Sequence, residues 1–187
     1  MDGASVRLEG VRLDCAVQLC AFDVLRHLDL IVQHDERMTR DLGLDADQAY
    51  GRKWFVARCD PAREHFLNWK ALTAQLCHGD AAVGFALVVV NRRVLPTKPR
   101  GDVCSIFFLS VDPEFQGRGI GSAMIRHIVQ WATEQGIKQV RLHVMEHNVR
   151  AIHLYERLGF GVAGPLLKNY PQRGVNAWRL KMDLGLA

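Results

Sequence analysis

The order of apolar and polar residues divides the chain into alternating short and long periods. "SVRLEGVRL" alternates and predicts one strand or two short ones. In "CAVQLCAFDVLRHLDLIVQHDERMTR", Val17, Cys20, Val24, Leu28 and Ile31 recur at helical spacing, and Gly43 breaks the pattern. "DPAREHFLNW" reads as helical, with Asp60 as cap and Pro61 in the first turn. "LTAQLC" and "AVGFALVVV" flank "HGD", a link suited to an antiparallel hairpin. "NRRVLPTKPRGD", with two prolines and a glycine, predicts a loop, and "CSIFFLSV" a further strand.

The C-terminal half is more regular. Ile120, Met124, Ile128 and Trp131 form one apolar stripe of a helix that stops at Gly136, a residue suited to the left-handed position after a helix. "KQVRLHVM" alternates again, with Val140, Leu142 and Val144 on one face and Arg141, His143 and Met145 on the other. Strand, helix and strand in that order predict a parallel pair joined by a right-handed crossover. Asn148 can cap the helix "VRAIHLYERL", which ends at Gly159 with Phe160 as apolar partner of the cap. The tail "GVAGPLLKNYPQRGVNAWRLKMDL" holds two strands and a turn.

Composition narrows the class. With 187 residues, 49% hydrophobic and 24% charged, the chain can bury one substantial core. The formal charge of +4 comes from interspersed acids and bases rather than a basic cluster, so nucleic acid is not an expected partner. Five cysteines (Cys15, Cys20, Cys59, Cys77, Cys104) follow neither a disulfide framework nor a zinc pattern, which suits a reducing cytoplasm and no metal. The longest apolar run, "VGFALVVV", is too short to cross a bilayer, and the start has no basic-then-apolar signal, so no membrane association is expected.

"QGRGIG", Gln116–Gly121, stands where a predicted strand turns into a helix. A helix N-terminus exposes unpaired N–H groups and partial positive charge, and glycines let phosphate oxygens approach them without a Cβ in the way. Arg118 can add a charge-assisted contact. A simple glycine-rich turn is the alternative. The segment fits neither the dinucleotide fingerprint, whose third glycine position is Ser122, nor a P-loop.

"LSVDPEFQGRGIGSAMIRHIVQWA" resembles the acetyl-CoA motif of the GNAT superfamily of N-acetyltransferases through Gln116, Gly119 and Gly121, and "HNVRAIHLYERLGF" is similar to its second signature through Asn148, Ala151, Tyr155, Gly159 and Phe160. The resemblance extends over roughly residues 80 to 183. It implies one α/β (mixed α+β) domain over residues 1–187, with a splayed mixed sheet of six to seven strands and about four helices. Residues 1–79 would be its variable acceptor side and 80–187 its acetyl-CoA-binding core. The strand holding "FFLSV" would carry a bulge and leave a slot for pantetheine beside Leu109 and Val111. Gln116, Gly117, Arg118, Gly119, Ile120, Gly121 and Ser122 would hold the pyrophosphate, and Asn148 would touch the cofactor.

The same resemblance gives roles. Tyr155 would lie by the CoA sulfur and protonate the leaving thiolate. The base position of some histone-acetylating members falls on Ser105, which is no base, and that of ribosomal-protein N-terminal acetyltransferases on His143, with Glu146, His147 or a water chain as competitors. Trp54, Phe55, Phe66 and Trp69 would line an acceptor pocket or fill the core. The expected acceptor is a small-molecule amine. A protein N-terminus or lysine comes second, because the tail lacks the paired tyrosines and acidic-alanine step of ribosomal-protein acetyltransferases. A silent acyl-CoA-binding module ranks last, since Tyr155 is present, and the apolar faces of the final strands would permit a homodimer.

Overall fold

The computed structural model describes residues 6–12, 16–21, 23–41, 43, 45, 49–59, 69–76, 81–91, 103–170 and 174–185. Along the chain these form β1 (Val6–Arg7), β2 (Val17–Ala21), α1 (Val24–Asp41), α2 (Gly51–Cys59), β3 (Trp69–Leu76), β4 (Ala82–Asn91) and β5 (Val103–Val111). After a 3-10 turn at Pro113–Phe115 come α3 (Ile120–Glu134), β6 (Gln139–Met145), α4 (Val149–Arg157), β7 (Gly161–Val162), β8 (Leu167–Tyr170) and β9 (Val175–Asp183). The nine described strands make one sheet in the order β1-β2-β3-β4-β5-β6-β9-β7, with β8 on β9. Every pair is antiparallel except β5 with β6. The mixed class and the four helices among the described residues are those expected. The strand count rises above six to seven because β1 and β7 have two residues each, too few to leave an alternating pattern.

The sheet has a core on each face. On one, α3 and α4 cover Val17, Leu19, Ala86, Cys104, Val140, Leu142 and Leu180. On the other, α1 and α2 bring Leu28, Ile31, Phe55 and Cys59 onto Phe85, Leu87 and Phe108. This division corrects the long helix expected from Cys15 onward. Val17–Ala21 is a strand paired with Leu72–Leu76, and the helix starts only at Val24. Val17 belongs to the α3/α4 face and Leu28 and Ile31 to the α1/α2 face, so the apparent stripe joined residues on opposite sides of the sheet. Strand pairing overrides the spacing because it satisfies the backbone of β2 and β3 together.

α2 was not foreseen. Its apolar residues Trp54, Phe55 and Val56 are contiguous rather than spaced by helical turns. Its first residue, Gly51, donates its N–H to Asp35 Oδ2 at 3.1 Å, which ties α2 to α1. The helix expected over "DPAREHFLNW" falls on 60–68, outside the described residues, except for Trp69, which opens β3. The "HGD" turn and 92–102 of the proline loop also lie outside them.

α3 and α4 form as read. Ile120, Met124, Ile128 and Trp131 are all buried. Both helices close with paired backbone bonds around a left-handed glycine. In α4, Gly159 N–H donates to Glu156 and Phe160 N–H to Tyr155; in α3, Gly136 N–H donates to Thr133 and Ile137 N–H to Ala132. Asn148 Oδ1 accepts the Ala151 N–H at 3.1 Å, the N-cap bond expected. Among the described residues, no helix is long and apolar enough to cross a membrane.

Candidate active site

The site begins with one extra residue in β5. Leu87 of β4 faces Phe108, but the next residue, Val88, faces Ile106, so Phe107 is bulged out of the ladder. A bulge bends its strand and increases the local twist. On the other edge, β5 pairs with β6 only from Val103↔Gln139 to Ile106↔Leu142. The strands run on to Val111 and Met145 with no pairing between them. The gap therefore opens at the bulge, and Leu109 and Val111 border it.

Beyond the gap, Asp112 Oδ1 accepts the Glu114 N–H and closes the 3-10 turn, and the chain enters the glycine loop. Gly117 and Gly119 have φ of 76° and 93°, values open to glycine and costly for other residues. Gly119 is the N-cap of α3 and supplies no side-chain cap, so the first N–H groups of the helix, at Ile120, Gly121 and Ser122, are left open for an anion. Gln116 braces the loop: its Nε2 donates to the Val111 carbonyl and its Oε1 accepts from Arg150 Nη1, both at 3.0 Å.

A groove of about 310 Å³ runs along these parts. Of the residues singled out from sequence, Leu109, Val111, Gln116, Gly117, Gly119, Ile120, Gly121, Ser122 and Asn148 line it together. Arg118 does not. It is exposed, with its guanidinium 5.8 Å from the Phe115 ring centre. Tyr155 is also absent from the lining: it is 8% exposed and packs edge-on against Phe160, 5.7 Å between ring centres, while Ala151 and Leu154 of the same helix reach the groove. Burial pushes the Tyr155 phenol up to about 12.

His143 lies on the other face. It is exposed, in register with Arg179 of β9, and partial burial with help from that arginine holds its pKa below the ordinary value. Ser105 is half-buried opposite Arg141. Glu146 accepts from Asn176 Nδ2 at 2.9 Å, and His147 is exposed. The aromatics divide: Phe55 is fully buried in the α1/α2 core, Trp54 is half-buried, Phe66 lies outside the described residues, and Trp69 opens β3.

Three arginines at the groove were not foreseen: Arg12, Arg150 and Arg157. Arg150 and Arg157 stand within the second signature, where their fixed spacing from Asn148 on a helix was available as a signal. Arg12 had none. It arrives because the β1–β2 connection crosses the glycine loop, its N–H donating to the Arg118 carbonyl at 2.7 Å. The N-terminal part, read from sequence as the acceptor side, thus also reaches this groove.

A strand gap leading to an uncapped, glycine-lined helix start ringed by guanidinium groups fits a long ligand with an apolar arm and phosphates. Residues 35–160 match the family model described as Acetyltransferase (GNAT) family. The chain belongs to the GNAT family of acetyltransferases. Over 111 residues, 58% of this GNAT chain and 75% of the relative, it is 30% identical to the ribosomal protein bS18 alanine N-acetyltransferase of Escherichia coli (strain K12). Over 65 residues it is 40% identical to the mycothiol acetyltransferase of Propionibacterium freudenreichii subsp. shermanii, covering 35% of this chain and 20% of that protein. The solved structure of Arabidopsis thaliana NAA60 in complex with acetyl-CoA shares the GNAT fold, with a TM-score of 0.67 at 19% identity over 90% of this chain and 98% of that one.

Proposed function

We propose that this GNAT domain transfers acetyl from acetyl-CoA to a primary amine by direct attack in a ternary complex, with a small-molecule amine as the leading acceptor. The observation that carries the reading is the unpaired β5–β6 gap ending at the uncapped start of α3. The pantetheine arm would lie beside Leu109 and Val111, and the pyrophosphate on the N–H groups of Ile120, Gly121 and Ser122. Arg12, Arg150 and Arg157 would add charge to the phosphates.

In the reaction, the acceptor ammonium gives one proton to His143 and the neutral amine nitrogen attacks the thioester carbon. A backbone N–H near Val111 would hold the oxyanion. The C–S bond then breaks, Tyr155 protonates the thiolate, and the second amine proton returns to the phenolate. A covalent cysteine intermediate finds no support: of the described cysteines none lines the groove, and Cys104 is fully buried with its thiol pushed up to about 12. A second acceptor, a peptide N-terminus, is favoured by the name of the Escherichia coli relative.

Calorimetry with acetyl-CoA tests the cofactor claim. Binding in the micromolar range is expected, and Arg12→Ala should weaken it about three- to tenfold, most at low salt, as loss of one partly screened charge-assisted contact would. No binding to the unaltered protein would end the acetyltransferase reading. The pH profile of kcat/KM tests the base. A histidine held below its ordinary pKa is neutral and competent at pH 7, so activity should climb on an acid-side limb with a midpoint below about 6.5. His143→Ala should remove that limb and leave the rise due to the amine itself. A limb unchanged in the variant would mean that His143 is not the base.

A further inference from the structure

The residue bulged from β5 is also an anomaly of burial. Phe107 is 39% exposed, while its neighbour Phe108, at 4%, fills the α1/α2 core. Phe107 does not stand alone. Its ring stacks on Trp54 with centres 5.3 Å apart and planes 24° apart, and Tyr50 closes on both at 4.4 Å from Trp54 and 5.6 Å from Phe107. Fully buried Phe55 packs edge-on behind Trp54 at 5.1 Å and Tyr50 at 6.3 Å, so the wall rests on the core.

The register places this wall. Ile106 faces Leu142, so Phe107 and His143 are the next residues on two adjacent parallel strands, at the step where pairing stops. Phe107 meets α2 on the α1/α2 face. His143 alternates with Leu142 and Val144, which belong to the opposite core, and so emerges on the same face. Neighbouring strands are about 5 Å apart, and more where they diverge. The wall and the histidine therefore flank the inner end of the gap from the side away from α3.

Charge limits what can lie there. Arg141 follows the same alternation as His143, and Arg179 is opposite His143 in the β6–β9 register; Lys181, opposite Arg141, is paired with Asp183, which leaves the two arginines in excess. A second cationic group on the acceptor would meet these at short range.

We infer that Tyr50, Trp54 and Phe107 bind the body of the acceptor, which is a singly charged primary amine carried a few atoms from an aromatic or large apolar group. The inference rests on the acetyltransferase reading. A flat apolar group would lie on the exposed Phe107 ring, gaining burial and ring contact, with its amine turned toward His143. The same chemistry is presented by a free arylalkylamine or by a peptide whose first residue is phenylalanine.

The test uses the full chain, acetyl-CoA and thiol release, with 2-phenylethylamine, a phenylalanine-initiated peptide, ethanolamine and spermidine as acceptors. At least one of the two aromatic amines should exceed ethanolamine and spermidine in kcat/KM by about tenfold or more, and which one does so identifies the source. Phe107→Ala should lower the ratio of that value to the ethanolamine value about tenfold. Phe107→Tyr should retain the preference. Ethanolamine or spermidine matching the aromatic amines, or a preference intact in Phe107→Ala, would overturn the proposal. So would acetyl-CoA binding with no release from either aromatic amine, whereas absence of acetyl-CoA binding would overturn the acetyltransferase reading with it.

Discussion

Gly119→Ala should abolish most acetyl-CoA affinity while the sheet and both cores persist. A Cβ at this position would stand 2.7 Å from the Gly10 carbonyl oxygen, a backbone atom that cannot swing aside as a side chain does. The φ of 93° adds strain of about 1–2 kcal/mol for any residue with a Cβ. The loop can relieve both only by moving, and the start of α3 moves with it, since Gly119 is its N-cap. If two N–H contacts to phosphate are lost, at about 1.5 kcal/mol or more each, affinity falls on the order of a hundredfold. Calorimetry with acetyl-CoA and with desulfo-CoA would read this, with circular dichroism to establish that the variant is folded. A folded variant that binds as well as the unaltered protein would remove the glycine loop from the cofactor site.

Tyr155→Phe should lower turnover by about a hundredfold with acetyl-CoA affinity unchanged, the range expected for loss of a general acid. The substitution keeps the ring that packs on Phe160 and removes only the hydroxyl, so loss of fold is not expected to confuse the result. Burial holds the phenol protonated to about pH 12, and an acid fails only above its pKa. The unaltered enzyme should therefore show no descending limb from this group below about pH 11. Unchanged turnover in the variant would take the proton-donor role from Tyr155 and leave it as a core residue.

What could be read from the sequence was what local chemistry fixes. The α3 stripe, the Asn148 cap, Gly136 and Gly159 are each decided within a few residues, and the structure reproduces them. The glycine loop stood out by its local composition and Asn148 by the resemblance, and they meet in one groove. What escaped depends on pairing between distant segments. Val17–Ala21 has helical spacing but becomes a strand because Leu72–Leu76 lies beside it. Trp54 and Phe55 are adjacent, yet one enters the core and the other joins Phe107, a partner more than fifty positions away. No periodicity carries that information, and none announces Arg12, whose position depends on where the β1–β2 connection crosses.

That crossing couples two parts of the molecule. The Gly10 carbonyl abuts Gly119, and the Arg12 N–H is bonded to the Arg118 carbonyl, so the β1–β2 connection and the glycine loop hold one another in place. By reciprocity of linked equilibria, if an ordered N-terminal segment strengthens the hold on the phosphates, then bound phosphates must stabilise that segment by the same free energy. A two-residue strand too short to hold itself would then owe much of its order to the ligand it helps to grip.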